Sequence, residues 1–313
     1  MNPVRRGLQH YLVLRRRLGF DSASLAGRLD DFVRFLEAEA ASHITTALAL
    51  RWATQPVDAQ PATWSQRLGM VRRFAAWFNA FDPRTEVPAQ GLLPHRFHRQ
   101  RPYVYSDREI ERIMQTAAGL PSPKGLRGRT YSTLFGLLAV TGMRISEALS
   151  LDRDDVDLIQ GGLFIRKTKF RKSRLVPLHV STQDVLQAYA KARDRHLPRP
   201  DTRAFFLSEQ GGQIRKWNAH YTFAQVCRRI GLRPAGQCRG RVPRLHDLRH
   251  RFAVRTLIDW YRAGVDVERE ITKLATYLGH THVNDTYWYI EAVPELLQLA
   301  TERLERLSTG REI

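Results

Sequence analysis

The sequence predicts a mostly α-helical protein with a small antiparallel β-sheet, in which a helical N-terminal domain precedes a larger α/β domain. Apolar residues recur at helical spacing through most of the chain. One segment, residues 155–178, instead has the β-branched residues and turn signals of short strands. The length of 313 residues is also too great for one ordinary hydrophobic core. We therefore expect two domains.

The N-terminal part reads as a small helical bundle. Its apolar spacing predicts four helices, at residues 7–18, 25–36, 44–54 and 64–78. Between Asp82 and Tyr105 four prolines interrupt any apolar period, which is typical of an extended linker. The predicted divisions are a helical domain at residues 1–84, a linker at 85–105 and a second domain at 106–313.

The second domain begins with a helix. Ser106 stands three residues before Glu109 ahead of an apolar run, which is a capping-box pattern and predicts a helix from about residue 107. Residues 155–178 predict two or three antiparallel strands, and Phe205 to Ser208 predict one more short strand. Helical spacing predicts five later helices, at residues 181–196, 217–230, 246–263, 268–278 and 293–307.

The charge of the chain favours a polyanionic partner. Lysine and arginine number 50 against 31 acidic residues, a net charge of +19, and the excess is spread over both predicted domains. Nucleic acid is the first candidate, although ribosomal and membrane-surface proteins share this balance. No apolar run of membrane-spanning length and no signal-peptide pattern occurs, so we expect a soluble cytoplasmic protein. Cys227 and Cys238 fit neither a zinc motif nor a disulfide framework.

Three segments of the second domain carry residues suited to phosphate chemistry. Arg144 follows the helix end at Thr141 and Gly142 and lies at the start of the next helix, where anions bind favourably. In LHDLRHRFA, His246 and Arg249 are three residues apart, which places an acid/base beside a second bidentate cation.

The third segment is YLGHTHVNDTYWYI. His280 follows a predicted helix end at Gly279, and Tyr289 comes nine residues later near a new helix start. Together the three segments offer a nucleophile, an acid/base and two cations, which are the groups that metal-independent phosphodiester cleavage requires.

Each residue also has a simpler interpretation. Arg144 could pair with Glu147 on its own helix, and Tyr289 could pack in an aromatic cluster. His246 and His250, four apart, could ligate zinc, but no HExxH motif and no third ligand are evident. The combination of the segments outweighs these alternatives.

The three segments resemble the conserved boxes of the tyrosine recombinases, the phage integrase family. The resemblance covers residues 106–305, with TG-R--E---L, LH-LRH-FA and LGH followed by tyrosine in the family's order. It implies a helical core-binding domain and an α/β catalytic domain. Aligning RLVPL at residues 174–178 with the family places a catalytic lysine at Lys169, with Lys167 and Lys172 as weaker candidates. The implied catalytic residues are Arg144, Lys169, His246, Arg249, His280 and Tyr289.

The resemblance implies a site-specific recombinase that cuts and rejoins double-stranded DNA through a 3′-phosphotyrosyl link at Tyr289. No cofactor, metal or ATP is expected, and no nucleotide-binding GxxxxGK[ST] loop occurs. Relatives work as tetramers on paired sites, and the helix over residues 293–307 could either reach a neighbouring protomer or pack on its own domain.

Two other functions remain in view. A type IB topoisomerase uses a similar set of residues, but the LGH box and the short N-terminal domain favour a recombinase. A DNA-binding protein that has lost catalysis is disfavoured by the complete set of six residues. One departure is that Glu291 stands where many relatives carry a histidine, two residues after the nucleophile.

Overall fold

The computed structural model describes residues 2–20, 23–94, 101–166, 173–234 and 242–308. It divides into two compact units, Met1–Arg99 and Gln100–Ile313. In the described residues helices predominate and the only sheet is small and antiparallel, so the predicted fold class is confirmed. None of the helices found there has the length and apolar character needed to cross a membrane.

The first unit is a bundle of four helices around an aromatic core. Asn2 and Thr45 accept backbone hydrogen bonds with their side chains and so cap the first and third helices. Phe32 and Trp52 are fully buried, with ring centroids 5.1 Å apart. The helices are α1 (Pro3–Arg17), α2 (Ala23–Ala38), α3 (Thr46–Thr54) and α4 (Pro61–Phe78).

The described parts of the predicted linker contain neither helix nor strand. Thr85 is buried, and the backbone N–H of Glu86 donates to the carbonyl oxygen of Ile44, so the start of this segment packs on the first unit. Tyr105 is buried in the second unit and donates to the carbonyl oxygen of Arg244. The start of the predicted linker thus packs on the first unit, and its end packs on the second unit.

The second unit consists of nine helices and the small sheet within the described ranges. The capping box at Ser106 and Glu109 is present in both directions, as the sequence predicts. The helices are α5 (Asp107–Ala118), α6 (Arg127–Thr141), α7 (Ile145–Leu149), α8 (Val180–His196), α9 (Lys216–Arg229), α10 (Asp247–Arg262), α11 (Val267–Leu278), α12 (Asn284–Ala292) and α13 (Pro294–Ser308).

The sheet has three antiparallel strands in sequential order, β1 (Val156–Asp157), β2 (Gly162–Ile165) and β3 (Arg174–Pro177). The strand predicted at residues 205–208 does not form. Ala204 and Leu207 each make one isolated bridge, to Asp152 and Gln213 respectively, so no continuous ladder develops. The aromatic run there fills the core instead, since Phe205 and Phe206 are almost fully buried.

Two hydrophobic cores support the second unit. The larger one surrounds α6, which is buried on nearly all sides and includes Leu134 and Phe135. The smaller one joins α10, α11, α12 and α13, and contains Leu278, Tyr289 and Leu296. The helices of this smaller core carry two of the three segments singled out from the sequence, those with Arg249 and with Tyr289.

Gly128 sets the close approach of α5 and α6. A Cβ atom there would collide with the backbone carbonyl group of Ala118, whose carbon would be 3.0 Å away. The backbone at Ala118, unlike a flexible side chain, cannot rotate out of the way. We expect Gly128→Ala to lower the free energy of unfolding by about 1 to 3 kcal/mol because the helices must separate. Urea denaturation of the full chain measures this.

Gly136→Ala is the matched control on the same helix. There a Cβ would meet only the mobile end of Met114 at 3.0 Å, so we expect a change within about 1 kcal/mol, the size of the alanine helix preference. Equal destabilisation by both substitutions would contradict the role given to Gly128.

Candidate active site

The site begins where α6 ends. Gly142 closes that helix in the left-handed conformation with φ of 60°, and a Cβ there would meet the ring of Phe252 at 2.5 Å. The chain turns at once into extended backbone at Arg144, which is the N-cap of the short helix α7. This glycine turn fixes the direction in which Arg144 leaves the helix.

The end of α11 holds two arginines together. Arg144 donates to the carbonyl oxygens of Gly279 at 2.8 Å and Leu278 at 3.4 Å. Arg249, in the first turn of α10, donates to the same Leu278 oxygen at 2.7 Å and to the Gly142 oxygen at 2.9 Å. The last carbonyls of a helix carry partial negative charge, so they attract guanidinium groups. Both predicted catalytic arginines therefore meet at one carbonyl.

Gly279 makes this arrangement possible. It is the left-handed cap of α11 with φ of 67°. A Cβ at this position would lie 3.0 Å from Nη1 of Arg174 and 3.3 Å from Nη1 of Arg144. Glycine is thus required both by the backbone conformation and by the close approach of the cations.

Glu147 is the buried counter-ion of the group. Its carboxylate accepts hydrogen bonds from the Arg144 side chain at 2.8 Å and from Nη2 of Arg174 at 2.8 Å, and its side chain is 6% exposed. Burial alone would raise the pKa of Glu147, but the hydrogen bonds from Arg174 and Arg144 hold the pKa below its ordinary value of 4.5. The carboxylate is therefore ionised at neutral pH.

Arg249 keeps a positive charge without a carboxylate of its own. Its side chain is 3% exposed, and in the described part of the chain its hydrogen bonds go to backbone carbonyls, with no ion pair to Asp or Glu. Burial, reinforced by the charge of Arg144, lowers the pKa of Arg249 to about 10. It remains cationic at neutral pH, which is the electrostatic condition for binding an anion.

His246 lies beside these cations at the N-cap of α10. Desolvation by the surrounding protein and the charges of Arg249, Arg244 and Arg144 lower its pKa to about 4, although part of the residue is exposed to solvent. The imidazole is therefore neutral at pH 7 and able to accept a proton.

Tyr289 lies in the second turn of α12 rather than near its start, and its side chain is 1% exposed. Its hydroxyl is 2.9 Å from Nδ1 of His250 on α10. The ring of His280 stacks on the Tyr289 ring at 6.4 Å, and Nδ1 of His280 is 2.7 Å from the hydroxyl of Thr286. The rings of Tyr289 and His280 are therefore neighbours, and Tyr289 belongs to the smaller core.

Comparison with known proteins decides the family. Residues 104–295 match the model of the phage integrase family. A putative integrase/recombinase of Sinorhizobium fredii, y4rB, is 47% identical over 98% of both chains. The chain belongs to the phage integrase family.

Solved recombinases share the fold at low sequence identity. The Tn1549 transposon integrase, in complex with transposon right end DNA, is 17% identical with a TM-score of 0.67 and covers 96% of this chain and 99% of its own. A lambda integrase from a tetramer bound to a Holliday junction is 17% identical with a TM-score of 0.60, over 90% of this chain and 76% of its own. The predicted resemblance to the tyrosine recombinases is confirmed.

Five of the six catalytic residues expected from the family resemblance lie in the described part of the chain. Arg144 and Arg249 meet at the carbonyl of Leu278, with His246 beside Arg249, whereas His280 and Tyr289 stack on each other. Lys169 lies outside the described residues, as do Lys167, Lys172 and Cys238. The catalytic roles themselves stay predictions.

Sequence reasoning missed two contributors to this recombinase site. Arg174, on β3, shares Glu147 with Arg144, and its 27-residue separation from Glu147 gives no sequence signal. For His250 the sequence suggests only the zinc-ligand alternative. Its ring lies 4.7 Å from that of His246, but among the described residues no group of three or more His, Cys, Asp or Glu is placed to hold a metal. Its partner is the hydroxyl of Tyr289.

Glu147→Gln should show how far the arginine pair depends on its counter-ion. The variant keeps the side-chain shape but leaves Arg144 and Arg174 without their shared charge, so we expect a loss of about 3 to 5 kcal/mol in the free energy of unfolding at pH 7. Because the pKa of Glu147 is depressed, its contribution is full above about pH 4.5 and is lost as the pH falls through the folded value.

The measurement is urea denaturation of both proteins as a function of pH. The difference between them should shrink below pH 4.5, the ordinary pKa value. Glu111→Gln, at an exposed position of α5, is the control and should change stability by less than about 0.5 kcal/mol. A Glu147→Gln deficit that is independent of pH would show that the charge does not matter.

Proposed function

We propose that this chain is a site-specific DNA recombinase that cuts and rejoins strands through a 3′-phosphotyrosyl intermediate at Tyr289. The observation that supports it best is the convergence of Arg144 and Arg249 on the Leu278 carbonyl, in the same unit that holds Tyr289 against His250. A phosphate bound by the two cations would meet a nucleophile that already has a hydrogen-bond partner. Membership of the integrase family supports the same reaction.

The first step is attack of the Tyr289 oxygen on the scissile phosphorus. The bond from phosphorus to the 5′-oxygen breaks, leaving a free 5′-hydroxyl and a 3′-phosphotyrosine. Arg144 and Arg249 would bind the non-bridging oxygens and stabilise the charge of the pentacoordinate transition state. By analogy with a single oxyanion donor, each is worth about 3 to 4 kcal/mol.

The remaining expected residues handle protons and orientation. His246, neutral at pH 7, would exchange protons with the reacting oxygens, and Lys169 would protonate the departing 5′-oxygen as a mobile ammonium. His280 would donate a hydrogen bond to a non-bridging oxygen, with its other ring nitrogen, Nδ1, held by Thr286. The reverse reaction uses the same groups in opposite roles.

The reaction needs no external energy source. One phosphodiester is exchanged for a phosphotyrosyl ester of similar energy and then exchanged back, and the arginines supply the positive charge. We therefore propose that neither ATP nor a divalent metal takes part.

We propose double-stranded DNA as the partner and a tetramer on paired sites as the active assembly. The net charge of +19 favours DNA, with an affinity that falls steeply with salt. The lambda integrase neighbour is a tetramer on a Holliday junction. In this chain α13 packs on its own unit through the buried Leu296, while Leu297 and Leu304 remain exposed on the helix. These two leucines give α13 an exposed apolar surface that a neighbouring protomer could cover.

Covalent trapping on DNA tests this function. The chain is incubated in EDTA with nicked duplexes carrying a sequence selected from a random pool by binding to the Tyr289→Phe variant. We expect an SDS-stable adduct with the wild type and none with Tyr289→Phe, because the phenol oxygen is the nucleophile.

Tyr287→Phe is the matched control, since that tyrosine is 38% exposed two residues away, and it should form the adduct as the wild type does. An adduct with Tyr289→Phe would disprove the nucleophile. No adduct with any of the three proteins on the selected DNA would favour a DNA-binding protein without catalysis.

A further inference from the structure

The hydroxyl of Tyr289 has a bonding partner outside the six residues assigned above. Nδ1 of His250 lies 2.9 Å from it, and the two side chains are buried, with His250 7% exposed. His250 belongs to the first turn of α10, one residue after Arg249. The helix that carries a phosphate-binding arginine therefore also carries a base in contact with the attacking oxygen.

The buried carboxylate of Asp247 lies on the Nε2 side of the His250 ring. Oδ1 of Asp247 is 3.9 Å from Nε2 of His250, and Asp247 is fully buried. The Asp247 carboxylate is held in place by the backbone N–H of Arg244 at 2.7 Å. Negative charge on the Nε2 side favours the tautomer with the proton on Nε2. The Nδ1 lone pair then faces the tyrosine hydroxyl as an acceptor.

We propose that His250 accepts the proton of Tyr289 during strand cleavage and returns it during rejoining, with Asp247 orienting its ring. The chain Asp247, His250 and Tyr289 follows the logic of a nucleophile, a base and an orienting carboxylate. This inference rests on the proposed function and moves the role of proton acceptor at that same site from His246 to His250.

The proton balance is complete without another reactant. As the Tyr289 oxygen bonds to phosphorus, its proton moves to Nδ1 of His250, which becomes an imidazolium stabilised by Asp247. The 5′-oxygen leaves with a proton from a separate donor, the acid assigned to Lys169. In the reverse direction the 5′-hydroxyl attacks, and His250 protonates the departing tyrosine oxygen.

His246 lies in a different environment from His250. Its ring meets the ring of His250 edge-on at 4.7 Å, and unlike His250 it is exposed. His246 can therefore meet the phosphate of bound DNA while His250 holds the nucleophile. In the described part of the chain, the charged and titratable groups around His250 include His246, Asp247 and Tyr289, with Arg244 bonded to Asp247.

A purely structural role for the hydrogen bond makes a different prediction. If His250 only holds the Tyr289 side chain in the core through this hydrogen bond, the His250→Gln variant should cleave DNA at the wild-type rate, because the amide oxygen of glutamine also accepts a hydrogen bond. Glutamine cannot take up a proton, so His250→Gln separates the two roles. Loss of a general base costs roughly 100- to 10,000-fold in rate.

The experiment is single-turnover cleavage of the selected nicked duplex by His250→Gln. At pH 7 we expect a rate at least about 100-fold below the wild type with unchanged DNA affinity. The difference in rate between the variant and the wild type should narrow at high pH, because hydroxide then removes the tyrosine proton in place of the imidazole. Recovery at high pH also shows that the variant is folded. His196→Gln, at the end of α8, is the control and should cleave at the wild-type rate.

A duplex with sulfur in place of the 5′-bridging oxygen identifies the proton that is handled. A thiolate leaves without protonation, so this duplex rescues a missing acid but not a missing base. We expect His250→Gln to remain slow on it. A wild-type rate on either duplex, or a deficit that does not change with pH, would overturn the proposal. If the wild type itself forms no adduct, the proposed function fails; if it does and His250→Gln matches it, only this inference fails.

Discussion

The carbonyl oxygen of Leu278 is the point on which the site depends. It accepts hydrogen bonds from both Arg144 and Arg249, and so connects the turn after α6, the start of α10 and the end of α11. Two like charges do not approach each other in a protein without compensation. Here the compensation comes from helix-end carbonyls and from Glu147, which leaves the pair ordered and still strongly positive. In the proposed reaction, an incoming phosphate would meet two guanidinium groups that are already in place, which lowers the cost of organising them.

The sequence predicts most of the fold because most of its helices have one buried face. The helix predicted at residues 181–196 forms as Val180–His196, and the capping box at Ser106 forms as expected. The sequence predicts only the C-terminal end of α6, because a helix buried on nearly all sides has no apolar stripe that distinguishes one face. The error at residues 205–208 has the related cause that Phe205 and Phe206 are apolar because they fill the core rather than because they lie in a strand.

The site was predictable as far as its residues are close in sequence or belong to a family motif. His246 and Arg249 needed only the periodicity of one helix, and Tyr289 needed its spacing from the LGH segment. Arg174 and the role of His250 required the folded chain, because each acts on a residue 27 or 39 positions away. The sequence likewise gives no sign that Tyr289 is almost completely buried, because the segment around it is polar.

The most direct test of the central claim is to locate the DNA on the protein. The trapped adduct is digested with nuclease and trypsin, and the modified peptide is sequenced by mass spectrometry. The peptide at residues 274–303 contains Tyr277, Tyr287 and Tyr289, so the fragment ions must distinguish them. A nucleotide joined through its 3′-phosphate to Tyr289 is the predicted result. Attachment to another residue, or through a 5′-phosphate, would contradict transesterification by Tyr289.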